Sequence, residues 1–222
     1  MNSENGLWDV VLEQGVQELV HFTRVKNLSS ILTHGLVPRA LHAEHGISAV
    51  YTEPQPSSEH LEAVSLSVTC FNWPLFEKID RRRPRASWVV LAIEPEVLMG
   101  AECHFKSSSQ LSRQSIAGNG PASAPDEFRI MFDDVAVWPH YRGSSFRGDC
   151  KLQPCMTTDP QAEILFRGRI GPQHIRALWF DQPDLAPLIE QFCQIHGIET
   201  PEMHIQPLMP RHQTSYMKAC WG

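Results

Sequence analysis

Three groups of residues in this chain have types and spacing suited to chemistry. Glu163 closes the run Thr158-Asp159-Pro160-Gln161-Ala162-Glu163, His21 opens His21-Phe22-Thr23, and Ser65-Leu66-Ser67 sits between them in the chain. An ionised carboxylate favours positive charge developing beside it and can take a proton from an attacking group. An imidazole can bond a hydroxyl through a ring nitrogen. Each feature also has an ordinary counterpart. A glutamate opening a strand is commonly a surface residue, and a histidine beside an apolar run is commonly a hydrogen-bonded structural residue. Serines on a strand are commonly just its polar face. The order carries more than the parts: a histidine near the N-terminus, a polar strand, then Gln-x-Glu in the last third.

Elements that could position these groups are readable from periodicity. Leu7, Val11, Leu12 and Leu19 have roughly helical spacing, weakened by Gly15. Residues 27–35 predict a short helix, with Asn27 as N-cap, Leu28, Ile31 and Leu32 on one face, and Gly35 as the C-terminal cap. Val64, Leu66 and Val68 alternate with polar residues, as in a half-buried strand. The apolar run 88–93 suits a strand buried on both faces, and 163–166 and 175–180 predict two more. Leu185, Leu188, Ile189, Phe192 and Ile195 form a helical stripe between Pro183 and Gly197. Residues 106–127 read as a long loop rich in turn formers, and the prolines after 198 predict an irregular tail. The pattern is α+β in a single domain over residues 1–222, with a core from about 18 to 198 and a Pro-rich tail at 199–222.

Composition narrows the function classes. The net charge of −6 argues against a broad, nonspecific coat for nucleic acid, while leaving room for a local basic groove. Arg81-Arg82-Arg83-Pro84-Arg85 is one such cluster, and Arg142, Arg147 and Lys151 are a looser one. The six cysteines lack paired zinc spacing, so no metal is expected and the thiols read as reduced. No apolar stretch reaches 18 residues, and the first residues do not resemble a secretory signal. A cytoplasmic protein without a membrane segment is the expectation.

The motifs together resemble the DarT family of ADP-ribosyltransferase toxins. Residues 21–36, from His21-Phe22-Thr23 through Asn27-Leu28 and Ile31-Leu32 to Gly35-Leu36, resemble the family's opening motif. Ala63-Val64-Ser65-Leu66-Ser67 followed by Phe71-Asn72-Trp73 resembles its second element, and Gln161-Ala162-Glu163 resembles the motif with the catalytic glutamate. Ile170-Gly171-Pro172-Gln173-His174-Ile175 fits the family's next strand. One departure stands out: the family often has an arginine between the first helix and the serine strand, and residues 51–60 contain none, leaving Arg39 as a substitute. A divergent branch is implied, of which the mRNA-modifying CmdT-like toxins are one example.

This resemblance implies an ADP-ribosyltransferase fold of split mixed sheets with short peripheral helices, holding NAD as co-substrate in the cleft. It implies catalytic roles for Glu163 and His21. Cofactor contacts are expected from His21, Phe22, Thr23, Asn27, Arg39, Ser65 and Ser67. Trp73, expected to be exposed, joins Arg81, Arg82, Arg83 and Arg85 as the expected surface for a single-stranded DNA or RNA substrate, with Phe71 in the core and the 106–127 loop as a clamp. An antitoxin, either a macrodomain or a neutralising protein, is the implied partner. Three other readings stay open on sequence: transfer to a protein, an RNA 2′-phosphotransferase-like activity, and an inactive binding module.

Overall fold

The computed structural model describes residues 3–52, 56–83, 86–107, 123–135 and 141–208. Its elements, in chain order, are α1 (Ser3–Glu13), β1 (Leu19–Arg24), α2 (Leu28–His34), α3 (Ser58–Leu61), β2 (Ala63–Val68), α4 (Trp73–Arg82) and β3 (Trp88–Ile93). There follow β4 (Glu102–Lys106), α5 (Ala124–Ile130), α6 (Phe146–Cys150), β5 (Glu163–Arg167), β6 (Ile175–Phe180), α7 (Leu185–His196) and β7 (Glu202–Ile205). The strands form one sheet in the order β4-β5-β2-β1-β3-β6-β7, antiparallel throughout except for the β6–β7 pair.

Strand pairing opens the cleft. β1 pairs with β3 over its whole length, from Leu19↔Ile93 to Arg24↔Trp88. It pairs with β2 only at Leu19↔Val68 and Val20↔Ser67. Upstream, β2 pairs instead with β5, from Ala63↔Arg167 to Leu66↔Ile164. The sheet is therefore joined at one corner and split from His21 onward. This is the α+β, split-sheet arrangement expected from the sequence.

Side-chain alternation places different cores on the two faces. Leu19, Val64, Leu66, Val68, Val89, Leu91 and Ile93 join α1, α2, α5 and α7 in the larger core. Val20, Trp88 and Val90 pack with Trp73, Phe76 and Ile79 of α4 in the smaller one. Gly35 ends α2 at φ 77°, and a side chain there would meet the Ile170 carbonyl at 2.0 Å. That close approach lets Leu36 and Ile170 exchange backbone hydrogen bonds of 2.9 Å, tying the end of α2 to the segment that follows β5.

Several elements differ from the sequence expectation. The helical spacing at 7–20 covers a helix that stops at Glu13, a turn with Gly15 at φ 65°, and then β1, so Leu19 belongs to a strand. Asn27 precedes α2 but makes no side-chain cap; its amide is used elsewhere. Residues 73–82 are a helix, capped by Asn72 accepting from the Leu75 N–H at 3.0 Å, with Pro74 in the first turn. The expected loop at 106–127 begins inside β4 and ends inside α5, and residues 108–122 lie outside the described set. β7 forms directly after Pro201, within the expected irregular tail, and pairs parallel with the β6 edge from Ala177↔Glu202 to Phe180↔Ile205; of the tail, residues 209–222 lie outside the described set.

Candidate active site

The split between β1 and β2 holds a cleft of about 220 Å³. His21, Phe22 and Thr23 line it from β1, Asn27, Ser30 and Ile31 from the α2 region, Arg39, His42 and Tyr51 from the following segment, and His60 and Ser65 from the β2 side. Antiparallel pairing through the joined corner brings residues 44 positions apart into contact. The His21 Nδ1–H donates to the Ser65 carbonyl at 2.8 Å. A carbonyl only accepts, so this bond assigns the hydrogen to Nδ1 and leaves Nε2 as an acceptor. Burial lowers the His21 pKa, and the bond to Ser65 offsets this only in part, so the ring is neutral at neutral pH.

Ser65 also reaches the other way. Its hydroxyl donates to Glu163 Oε1, a diagonal contact between β2 and β5 on one face of the sheet. A second donor comes from a residue outside the expected set: His60 Nε2 lies 2.9 Å and 3.2 Å from the two Glu163 oxygens, and its Nδ1 is 2.7 Å from Ser57 Oγ. The Glu163 side chain is only 21% exposed. Burial alone pushes its carboxyl pKa up. The hydrogen bonds from His60 and Ser65, with the electrostatic pull of His60 and of Lys106, outweigh burial and hold the carboxyl below its ordinary range. Lys106 stands opposite Glu163 in the β4–β5 register and pairs with Glu59 at 2.6 Å. The outcome is an ionised carboxylate with both oxygens oriented by donors.

The loop that delivers Glu163 is braced from behind. Arg147 of α6 donates to the Met156 carbonyl and Thr158 Oγ1 at 2.8 Å each, and to the Gln153 carbonyl at 2.9 Å. Thr158 Oγ1 donates to the Asp133 carbonyl at 2.7 Å, and Thr69 Oγ1 to the Cys155 carbonyl at 2.9 Å. Asp159 Oδ1 then accepts the Gln161 N–H at 2.8 Å and turns the chain into β5. Arg147, read in sequence as part of a basic surface cluster, thus spends its guanidinium on the loop. Arg147→Ala is expected to lower unfolding free energy by about 2 kcal/mol or more, because several half-buried acceptors lose a charged donor. Arg82→Ala, at an exposed helix end, is expected to stay within about 0.5 kcal/mol. Urea midpoints decide the matter, and equal midpoints for the two variants would remove the brace.

The other expected residues divide. Phe22 lines the cleft and also packs on Phe71, Phe76 and Trp88. Thr23 and Asn27 are buried in its wall. The Asn27 amide donates to Thr23 Oγ1 at 3.0 Å and the Val50 carbonyl at 3.1 Å, and accepts the Val50 N–H at 2.7 Å, so it pins the segment before Tyr51. Arg39 stacks over the Tyr51 ring at 3.7 Å, with His42 against Tyr51 as well. Ser67 pairs with Val20 where the split closes and is not among the lining residues.

Trp73 requires correction. It is 8% exposed and packed in the smaller core, because α4 turns it inward with Phe76 and Ile79, so it offers no stacking face to a substrate. Phe71 is buried as expected. Arg81 is paired with Glu77 one helical turn away and Arg82 is exposed, while Arg83 donates to the Tyr51 carbonyl at 3.3 Å. Arg85 lies outside the described residues. The five cysteines among the described residues are free, and burial pushes the thiols of Cys70 and Cys103 up to about 12. Sequence reasoning missed His60, although it stands five residues before Ser65, where α3 hands over to β2. A titratable residue at a helix-to-strand junction beside a polar strand was the available signal.

Comparison with known proteins bears on the family and the fold. The family model described as DarT, ssDNA thymidine ADP-ribosyltransferase, matches residues 20–211. The chain is similar to the Thermus sp. 2.9 DarT in complex with carba-NAD+, at 14% identity and TM-score 0.52, covering 86% of this chain and 95% of that one. It is similar to the same Thermus protein in complex with ADP-ribosylated ssDNA, at 13% identity, TM-score 0.52 and the same coverages. The Thermosipho africanus DarTG in complex with ADP-ribose aligns at 12% identity and TM-score 0.49 over 90% of this chain, which spans 51% of that one. No curated protein matches the chain. At identities this low, the structural likeness is one of fold.

Proposed function

The chain belongs to the DarT family of ADP-ribosyltransferases, and we propose that it transfers ADP-ribose from NAD to thymidine in single-stranded DNA, releasing nicotinamide. The observation that carries this reading is the half-buried, ionised Glu163, held by Ser65 and His60 at the split of the sheet and joined through Ser65 to His21. The residues fit the co-substrate. His21 offers a neutral ring whose Nε2 accepts, suited to a ribose hydroxyl, and Arg39 offers a cation at the cleft wall for a phosphate.

When bound, NAD supplies an electrophilic ribose carbon whose leaving group is nicotinamide. Glu163 contributes fixed negative charge beside that carbon, which favours the positive charge developing as the C1′–N bond breaks. As the acceptor nitrogen forms its new bond to C1′, Glu163 takes the nitrogen's proton and later returns it to solvent. Ser65 and His60 hold the carboxylate so that this charge is already in place. Asn27 and Thr23 keep the cleft wall rigid.

The reading also makes the protein a toxin that acts in the cytoplasm, where NAD and single-stranded DNA meet, and that is restrained by an antitoxin. Among the described residues no helix is long and apolar enough to cross a membrane. The test is incubation with NAD and paired single-stranded DNA and RNA oligonucleotides, with and without thymidine or uridine, read by mass spectrometry. One added ADP-ribose on thymidine-containing DNA alone is expected. Label on RNA alone moves the chain to the mRNA-modifying branch, and label only on protein overturns the nucleic-acid acceptor.

A further inference from the structure

Four arginines of the sequence cluster were candidates for a substrate surface, and the structure singles out one of them together with an arginine from elsewhere. Arg24 is the last residue of β1, directly after Thr23 of the cleft wall. Its guanidinium lies over the Trp88 ring, 4.9 Å from the centroid, and Trp88 is itself oriented by its Nε1–H donating to Asp80 at 2.8 Å. The Arg24 Nε is buried and has no hydrogen-bond partner among the described residues. Arg83 follows α4 and is anchored on the Tyr51 carbonyl at the cleft wall.

The two cations feel each other. Burial first, and then the charge of Arg83, lower the Arg24 pKa, with Asp80 opposing. A desolvated guanidinium nitrogen without an acceptor, beside a second guanidinium, is an unfavourable arrangement that an anion would relieve. Planar guanidinium forks match phosphate oxygens. Arg81, by contrast, is already paired with Glu77.

We infer that Arg24 and Arg83 together hold a backbone phosphate of the DNA strand at the outer lip of the cleft, beside Tyr51. Neither residue is among those lining the cleft, and Arg83 reaches it only through the Tyr51 carbonyl. The strand, coming from solvent toward Glu163, is the phosphate source that this position fits. The inference rests on the single-stranded DNA reading above.

The experiment measures equilibrium binding of a fluorescent thymidine-containing single-stranded oligonucleotide to the Glu163→Gln protein over a salt series. Arg24→Gln and Arg83→Gln, each added to that background, are expected to weaken binding several-fold. Each is expected to flatten the slope of log K against log salt by about 0.7 per lost phosphate contact. Arg24→Lys keeps the charge and the stem over Trp88, and is expected to keep most of the slope. Arg81→Gln is expected to leave the slope unchanged. In the Glu163 enzyme, the KM for NAD in nicotinamide release is expected to be unchanged by Arg24→Gln and Arg83→Gln.

Unchanged slopes for both glutamine variants overturn the inference. A raised NAD KM with normal oligonucleotide binding also overturns it, and assigns the pair to the co-substrate. If Arg24→Gln melts below the assay temperature, Arg83→Gln decides alone. If the parent protein cleaves NAD but binds no oligonucleotide, the acceptor reading fails, and the strand phosphate fails with it. Binding and modification by the parent with unchanged slopes in the variants fails the pair alone.

Discussion

Glu163→Gln is expected to reduce turnover about 10²–10⁴-fold, with little change in the affinity for NAD. Glutamine has nearly the shape of glutamate, and its amide oxygen can still accept from Ser65. Packing at the start of β5 is therefore preserved. What disappears is the negative charge in a largely buried site, and with it both the stabilisation of positive charge at C1′ and the proton acceptor. Both are needed more in the transition state than in the ground state, so the loss falls on kcat. Nicotinamide release and oligonucleotide mass together measure it, with circular dichroism to verify the fold. A variant within about tenfold of the parent would falsify the assignment of Glu163 as the catalytic carboxylate.

His60→Ala is expected to lower kcat about 10–100-fold at neutral pH, the effect of removing a hydrogen bond to a charged group. The more specific expectation is a change in pH dependence. Burial raises the Glu163 carboxyl pKa, while His60, Ser65 and Lys106 lower it and prevail. In the proposed mechanism the ionised carboxylate is the active form. Activity is therefore present above the carboxyl pKa and lost as pH falls through it, which for the parent happens below the ordinary carboxylate range. Without His60 the balance moves toward burial and the carboxyl pKa rises. The acid limb of the kcat profile should then move to higher pH. A role for His60 in folding alone would lower activity equally at every pH and leave the limb in place. In the proposed mechanism His60 acts through Glu163 as a positioning residue, and it stands in the interval where the family resemblance leads one to expect an arginine.

Local patterns made much of the frame legible. β2, β3, β5 and β6 follow from alternation or short apolar runs, and α2 and α7 from helical stripes ended by Gly35 and Gly197. The cap of α4 is also written locally, in Asn72-Trp73-Pro74. A loop ending in Trp73-Pro74 would expose the indole, whereas the helical turn carries it inward with Phe76 and Ile79. β7 had only a four-residue alternation, Glu202-Met203-His204-Ile205, as a local signal. It is a short strand after a proline, and its parallel pairing with β6 is a tertiary contact between segments more than twenty residues apart.

By itself, the sequence determined which residue types were available and in what order: His21, then Ser65, then Glu163, on elements whose periodicity is written in neighbouring residues. Tertiary structure decided how those residues are wired. The short β1–β2 pairing opens the sheet and puts His21 on the Ser65 carbonyl, and the β2–β5 register puts Ser65 and His60 on Glu163. It also decided which arginines are spent, with Arg147 on the loop before Glu163 and Arg81 on Glu77, and left the buried Arg24 Nε without a partner among the described residues. The reason is physical range. Periodicity, caps and turns act over a few residues, whereas hydrogen bonds spanning about a hundred positions depend on strand register and burial, which exist only once the chain has folded.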